Sequence, residues 1–188
     1  AQRCYERWAD LAEGTSAERF ARLVRLAFTS AGLTNPITRI YVDDSNPLGA
    51  GSVELHLATD AGPASVDEVT RVQNYIHHPT DSTLRRWSTG QGTLQASAAG
   101  TLAIPVTGTI KGPADSASAL VQASAVLAAL APTYAIGGAV VYLEQIRAAL
   151  LYGVTGAVDV TLTAPTGNTT ITAGAIVSFT PVTLSVVP

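Results

Sequence analysis

The chain has 188 residues and a mass of 19.3 kDa, room for one large domain or two small ones. Apolar residues make up 47% and charged residues 13%, about half the usual charged share, which excludes wholesale disorder. The net charge of −3, a single lysine (Lys111) and the lack of any basic run argue against a nucleic-acid-binding protein. One cysteine, Cys4, excludes an intrachain disulfide and a cysteine-based zinc cage, and His56, His77 and His78 leave little material for a metal centre. The opening AQRCYERWADLAEG is amphipathic and charged, unlike a secretory leader. No methionine occurs, at position 1 or elsewhere, so the chain is expected to be a piece of a longer polypeptide.

Charge divides the sequence. Only five charged residues lie beyond position 88: Lys111, Asp115, Glu144, Arg147 and Asp159. The loop-prone stretch Pro79–Gly92 marks a boundary between a charged module, 1–82, and a module rich in Thr, Ala and Val, 83–188. In the first, a short helix is expected over Arg3–Glu13, with Gly14 at its left-handed end. Thr15-Ser-Ala-Glu18 forms a capping box, opening a helix with Phe20, Leu23, Val24, Ala27 and Phe28 on one face. Gly32 ends it. Pro36–Asp43 and Gly51–Ala58 read as strands, the second with Val53, Leu55 and Leu57 alternating with Glu54 and His56. Ser65-Val-Asp-Glu68 is a second capping box, opening a helix with Val66, Val69, Val72 and Ile76 inward.

In the second module, Thr101–Ile110 reads as a strand whose Pro105 calls for an edge or a bulge. Ala117–Ala131 and Gly138–Leu151 read as helices separated by Pro132 and Gly137-Gly138. Val158–Thr163 alternates as a half-buried strand, Pro165-Thr-Gly-Asn168 is a turn, and Ile171–Val187 is expected as short β segments broken at Gly174 and Pro181. The uncharged run Ser116–Leu143 is long enough to span a bilayer, but its alanine content, Gln122, Pro132 and the lack of basic flanks favour a buried helical hairpin. The fold class is therefore α+β, as α-α-β-β-α followed by β-α-α-β-β, with helices packed on mainly antiparallel sheets.

Chemistry is poorly supplied. Adjacent His77 and His78 point apart on a helix and suit its C-terminus better than one metal. Asp43-Asp44 with Glu54 could serve acid/base work or hold a divalent ion, yet Asp-Asp-Ser-Asn-Pro is also ordinary turn chemistry, the preferred reading. No serine lies in a G-x-S-x-G elbow, and Gly108–Pro113 lacks phosphate-loop spacing. Cys4 reads as an inert thiol. No catalytic residue, metal site or cofactor is expected, and the protein is not expected to be an enzyme. Arg85-Arg86-Trp87 is the compact cluster that reads as a candidate subunit interface, with a core tryptophan as its rival.

Several stretches, in order, resemble the baseplate J-like family of contractile-tailed phages and related injection machines. Trp8-Ala-Asp-Leu-Ala-Glu-Gly-Thr-Ser16 is similar to that family's stretch between two helices, and Ile40-Tyr-Val-Asp43 follows. Pro47-Leu-Gly-Ala-Gly-Ser-Val53 resembles its step into a strand, and His78-Pro79 follows the helix Val69–Ile76. Gly153-Val-Thr-Gly-Ala-Val158 and Ala164-Pro-Thr-Gly resemble its closing segment. The resemblance implies a structural wedge protein of the tail baseplate. Its implied partners are other baseplate and tail proteins and a second copy, paired within a six-fold ring, with no nucleic acid and no membrane. The implied location is the virion baseplate, after assembly in the host cytoplasm. The alternative is a tail-associated carbohydrate or receptor-binding module, against which the 6% aromatic content counts.

Overall fold

A computed structural model of the chain describes residues 16–78, 80, 81 and 93–188, as two compact units divided between Ala99 and Gly100. The Arg3–Glu13 helix, Thr15 and the interface cluster Arg85, Arg86 and Trp87 lie outside the described residues. The α+β class holds in both units.

In the first unit, helix α1 (Ser16–Thr29) buries Phe20, Leu23, Val24, Ala27 and Phe28 along one stripe, as the 3.6-residue spacing requires. Beyond its end Gly32 takes φ +71°, and Leu33 N–H returns to Phe28 O. Strands β1 (Arg39–Asp43) and β2 (Val53–Thr59) pair antiparallel, with Leu55 and Leu57 fully buried beneath Glu54 and His56. A two-residue strand β3 (Gly62–Pro63) folds back on β2. Helix α2 (Val66–Ile76) starts at the expected capping box: Ser65 N–H donates to Glu68 at 2.7 Å, and Glu68 N–H to the Ser65 hydroxyl at 3.4 Å. Val72 and Ile76 are buried; Val66, expected inward, is 81% exposed because it sits in the first turn, beyond the edge of the packed stripe.

The strand β4 (Leu94–Ala98) was not expected. It lies parallel to β2, Leu94 beside Val53 and Ala98 beside Leu57, which attaches it to the first unit. The division of units therefore falls C-terminal to position 82. The free edge of β4 is closed by a side chain: Gln73 of α2 donates to Leu94 O at 3.1 Å and accepts from Ala96 N–H at 2.7 Å. The amide thus occupies the place of a neighbouring strand.

The second unit is built on β5 (Gly100–Lys111), central in the order β7-β5-β9. β7 (Asp159–Ala164) is antiparallel to it, and β9 (Ala175–Val187) parallel along its whole length. Antiparallel pairs are the more numerous, but each main sheet is mixed and the longest ladder is parallel. β9 is one strand of 13 residues where short broken segments were expected. Pro181 is tolerated because the register shifts opposite it, between Ile104 and Val106, so Pro105 and Pro181 share one irregularity.

Helix α3 (Ser116–Leu130) is capped by Asp115, whose carboxylate accepts from Ala117 and Ser118 N–H at 3.0 and 3.2 Å. It buries Ala119, Ala123 and Leu127, one residue per turn, so the expected buried hairpin is covered on one side only. A short 3₁₀ turn (Ala131–Thr133) follows, then strand β6 (Val140–Val141), paired with β8 (Thr169–Thr170). Helix α4 (Leu143–Gly153) starts later than the sequence pattern suggests, because Gly137 and Gly138 both take positive φ and cannot open it. Gly153 lets α4 approach Val126 of α3; a Cβ there would overlap that side chain.

Two strand glycines differ in what surrounds them. A Cβ on Gly108 would collide with the Thr161 carbonyl of β7, whereas one on Gly100 would meet Ala175 at an ordinary 3.8 Å. Gly108→Ala is therefore expected to cost about 1–3 kcal/mol in urea unfolding, and Gly100→Ala well under that.

Candidate functional site

On the face of the first sheet opposite the described helices α1 and α2, the pairing lines up Tyr41, His56 and Ser97 across three strands. The Ser97 hydroxyl donates to Glu54 Oε1 at 2.9 Å and lies 3.1 Å from His56 Nδ1; the Tyr41 and His56 rings are 5.8 Å apart. This cluster escaped the sequence reading because it depends on β4 lying parallel to β2. Glu54 Oε2 also lies 3.8 Å from His56 Nε2, so the three side chains close a ring of polar contacts in which the serine hydroxyl donates to the carboxylate directly. The arrangement ties β2 to β4 by polar contacts.

Of the carboxylates weighed for acid/base work, Glu54 belongs to this cross-strand cluster and Asp43 and Asp44 fall at the turn. Asp43 lies opposite Glu54 in the β1–β2 register, but its carboxylate turns back to the Ser45 hydroxyl and amide at 2.6 and 3.0 Å. Those two bonds hold its carboxyl below the ordinary aspartate range, so it stays ionised and has no proton to give near neutrality. Asp44 is exposed, and the loop beyond it closes on itself: Asn46 accepts from Gly51 N–H at 2.6 Å, and Ser52 from Leu48 N–H at 2.9 Å. His77 caps α2, its N–H reaching Gln73 O, and His78 Nδ1 accepts from Asp81 N–H. Among the described residues no three His, Cys, Asp or Glu side chains converge as metal ligands, and Cys4 lies outside them. An open groove of about 540 Å³ between α1 and α2 is lined by Ala27, Ala31, Asp67, Arg71 and Asn74, with Arg71 also 5.9 Å from the Phe28 ring.

In the second unit every charged residue has an assigned place. Asp115 caps α3. Lys111 and Arg147 lie 3.6 and 3.3 Å from Asp159, and Arg147 lies 3.9 Å from Glu144. The remaining surface of Gly100–Pro188 carries no charge. Its exposed apolar side chains include Leu120 and Val121 on α3, Tyr152 after them, and Val158, Val182 and Val187 on or beside the strands. With its 3₁₀ extension, Ser116–Thr133 is also long and apolar enough to cross a membrane by length and composition alone. A surface depleted of charge and dotted with aliphatic side chains has the composition of protein–protein contacts.

Residues 103–185 match the family model for the Baseplate J-like protein C-terminal domain. The second unit is a baseplate J-like C-terminal domain. The match runs from within β5 to within β9, so it takes in most of the ladder and both helices. The motifs of the first unit that resemble the family lie outside it. No curated protein matches the chain. The baseplate J-like domain gives the protein a structural role in a phage tail baseplate, part of the virion, among other tail proteins.

Asp159 tests the charged cluster of this domain. Desolvation pushes its carboxyl up, but the Arg147 bond and the Lys111 charge outweigh that and hold it below the ordinary aspartate range. A depressed folded-state value means stability that is present above the unfolded value, near 4, and lost as pH falls below it. Thermal melts are expected to show wild type above Asp159→Asn at pH 7, with the two converging toward pH 2.

Proposed function

We propose that this protein is a wedge component of the baseplate of a contractile tail or related injection system. In this reading it pairs with a second copy within a six-fold ring around the tail tube. Its two modules hold neighbouring subunits, and rearrangement of those contacts passes the signal for sheath contraction from one to the next. The observation that carries the reading is the baseplate J-like domain over residues 103–185. The uncharged surface of the same unit supports it, since permanent contacts favour such surfaces and ring closure makes modest contacts collectively stable.

The role is mechanical, without catalysis, cofactor or metal, and without nucleic acid or a membrane as partner. Assembly takes place in the host cytoplasm. Arg85, Arg86 and Trp87 are proposed as a subunit contact, where two guanidinium groups and an indole supply rigid anchors. The test is tail assembly in a complemented deletion strain. Wild type is expected in purified tails at the tip. Arg85→Ala/Trp87→Ala is expected to lower its incorporation at least tenfold while the isolated chain keeps its melting temperature. A chain absent from purified tails overturns the role; a variant that unfolds before it fails to assemble returns Trp87 to the core.

A further inference from the structure

Strand edges are liabilities that proteins usually guard, and most edges here are guarded. β1 carries Arg39 and Asp43, β4 is closed by the Gln73 amide, and β7 is short, carries Asp159 and ends at Pro165. β9 differs. It runs for 13 residues without a charged side chain and, among the described residues, has β5 alone as its strand neighbour. Thr180–Thr183, Ser185 and Val187 are exposed, and Leu184 and Val186 are half-buried.

Its hydrogen-bonding phase follows from one contact. Gly112 N–H donates to Val187 O at 2.8 Å, so Val187 faces β5, and alternation turns the backbone groups of Val182, Leu184 and Val186 outward. The segment that carries them reads the same in both directions by chemistry: Val182-Thr183-Leu184-Ser185-Val186 is aliphatic, hydroxyl, aliphatic, hydroxyl, aliphatic.

We infer that β9 is the seam of the homodimer, pairing antiparallel with β9 of a second copy about a two-fold axis at Leu184. In that register Leu184 meets its own mate, Val182 meets Val186, and Thr183 meets Ser185. Every outward backbone group in the segment finds a partner, and like chemistry faces like on each side of the sheet. Leu184 and Val186 lie over the core of the unit, so the aliphatic side joins two cores, while the hydroxyl side stays in water. No charge opposes the contact, because neither β9 nor α3, which packs on it, has any. Pro181 lacks an N–H and limits the pairing at one end. A second copy is favoured over an unrelated strand because an unrelated one has no reason to match this symmetry.

The inference rests on the homodimer proposed above and names its surface. Its test uses the full chain with opposite charges placed on the exposed hydroxyl side. In Thr183→Lys/Ser185→Lys, each lysine faces a lysine of its mate; in Thr183→Glu/Ser185→Glu, glutamate faces glutamate. Sedimentation velocity is expected to show a wild-type dimer, two monomeric variants, and a dimer restored in their equimolar mixture and weakened by salt. Restoration also shows that both variants are folded. A lysine variant that remains dimeric, or a mixture that stays monomeric, overturns the β9 seam and leaves the baseplate role standing. A wild-type chain that is monomeric at all concentrations removes the homodimer and the seam together.

Discussion

The baseplate J-like domain depends on one pairing, the parallel ladder from Gly100–Ala175 to Lys111–Val187. Parallel neighbours need a long crossover, and here the crossover carries both helices, β7 and the small β6–β8 pair. Ile104, Val106 and Ile110 of β5 and Val177 and Phe179 of β9 supply the sheet side of the core, against Ala119, Ala123, Leu127, Ile146 and Leu150 from the helices. Each fully buried aliphatic side chain contributes roughly 1.5–3 kcal/mol, so the ladder positions most of what stabilises the unit. Two prolines interrupt it at a shared irregularity, which concentrates the disturbance at one point of an otherwise continuous register.

That internal economy shapes the exterior. The few charged side chains of the second unit cap one helix or neutralise one another in a single exposed cluster. The rest of its surface is left neutral, with small and β-branched side chains. A freely diffusing enzyme gains nothing from such a surface, whereas a subunit held among neighbours does. The first unit carries most of the charge and a polar cross-strand cluster, Tyr41, Glu54, His56 and Ser97, on the face opposite its described helices α1 and α2.

The local signals were legible in the sequence. The Ser65–Glu68 capping box, the stripe Phe20–Phe28 and the alternation around Leu55 depend on residues a few positions apart, and each appears as read. What the pattern missed is non-local. β4, Leu-Gln-Ala-Ser-Ala, has little strand propensity of its own and exists because β2 offers an edge and Gln73 closes the other side. Pro181 looks like a strand break until the partner's own irregularity is seen, whereas Gly174, at φ +70° in the turn just before β9, is the break that was expected. Gly137-Gly138 separates the two helices as read, but positive φ at both keeps Gly138 from opening the second one, and β6 intervenes. The uncharged run Ser116–Leu143 divides into a helix, a 3₁₀ turn, a short strand and the start of another helix, a sequence of elements that hydropathy alone does not resolve. Of the candidate site, the reading of Asp43 as turn chemistry was recoverable from neighbouring Ser45; the Ser97 cluster was not, because its members come from three strands.

Native-state hydrogen exchange tests the primacy of the β5–β9 ladder most directly. The amides of Leu102–Ile110 and Ile176–Phe179 are expected to be the slowest in the second unit, exchanging together and only through global unfolding. Exchange of those β5 amides as fast as the β6–β8 pair would contradict the account.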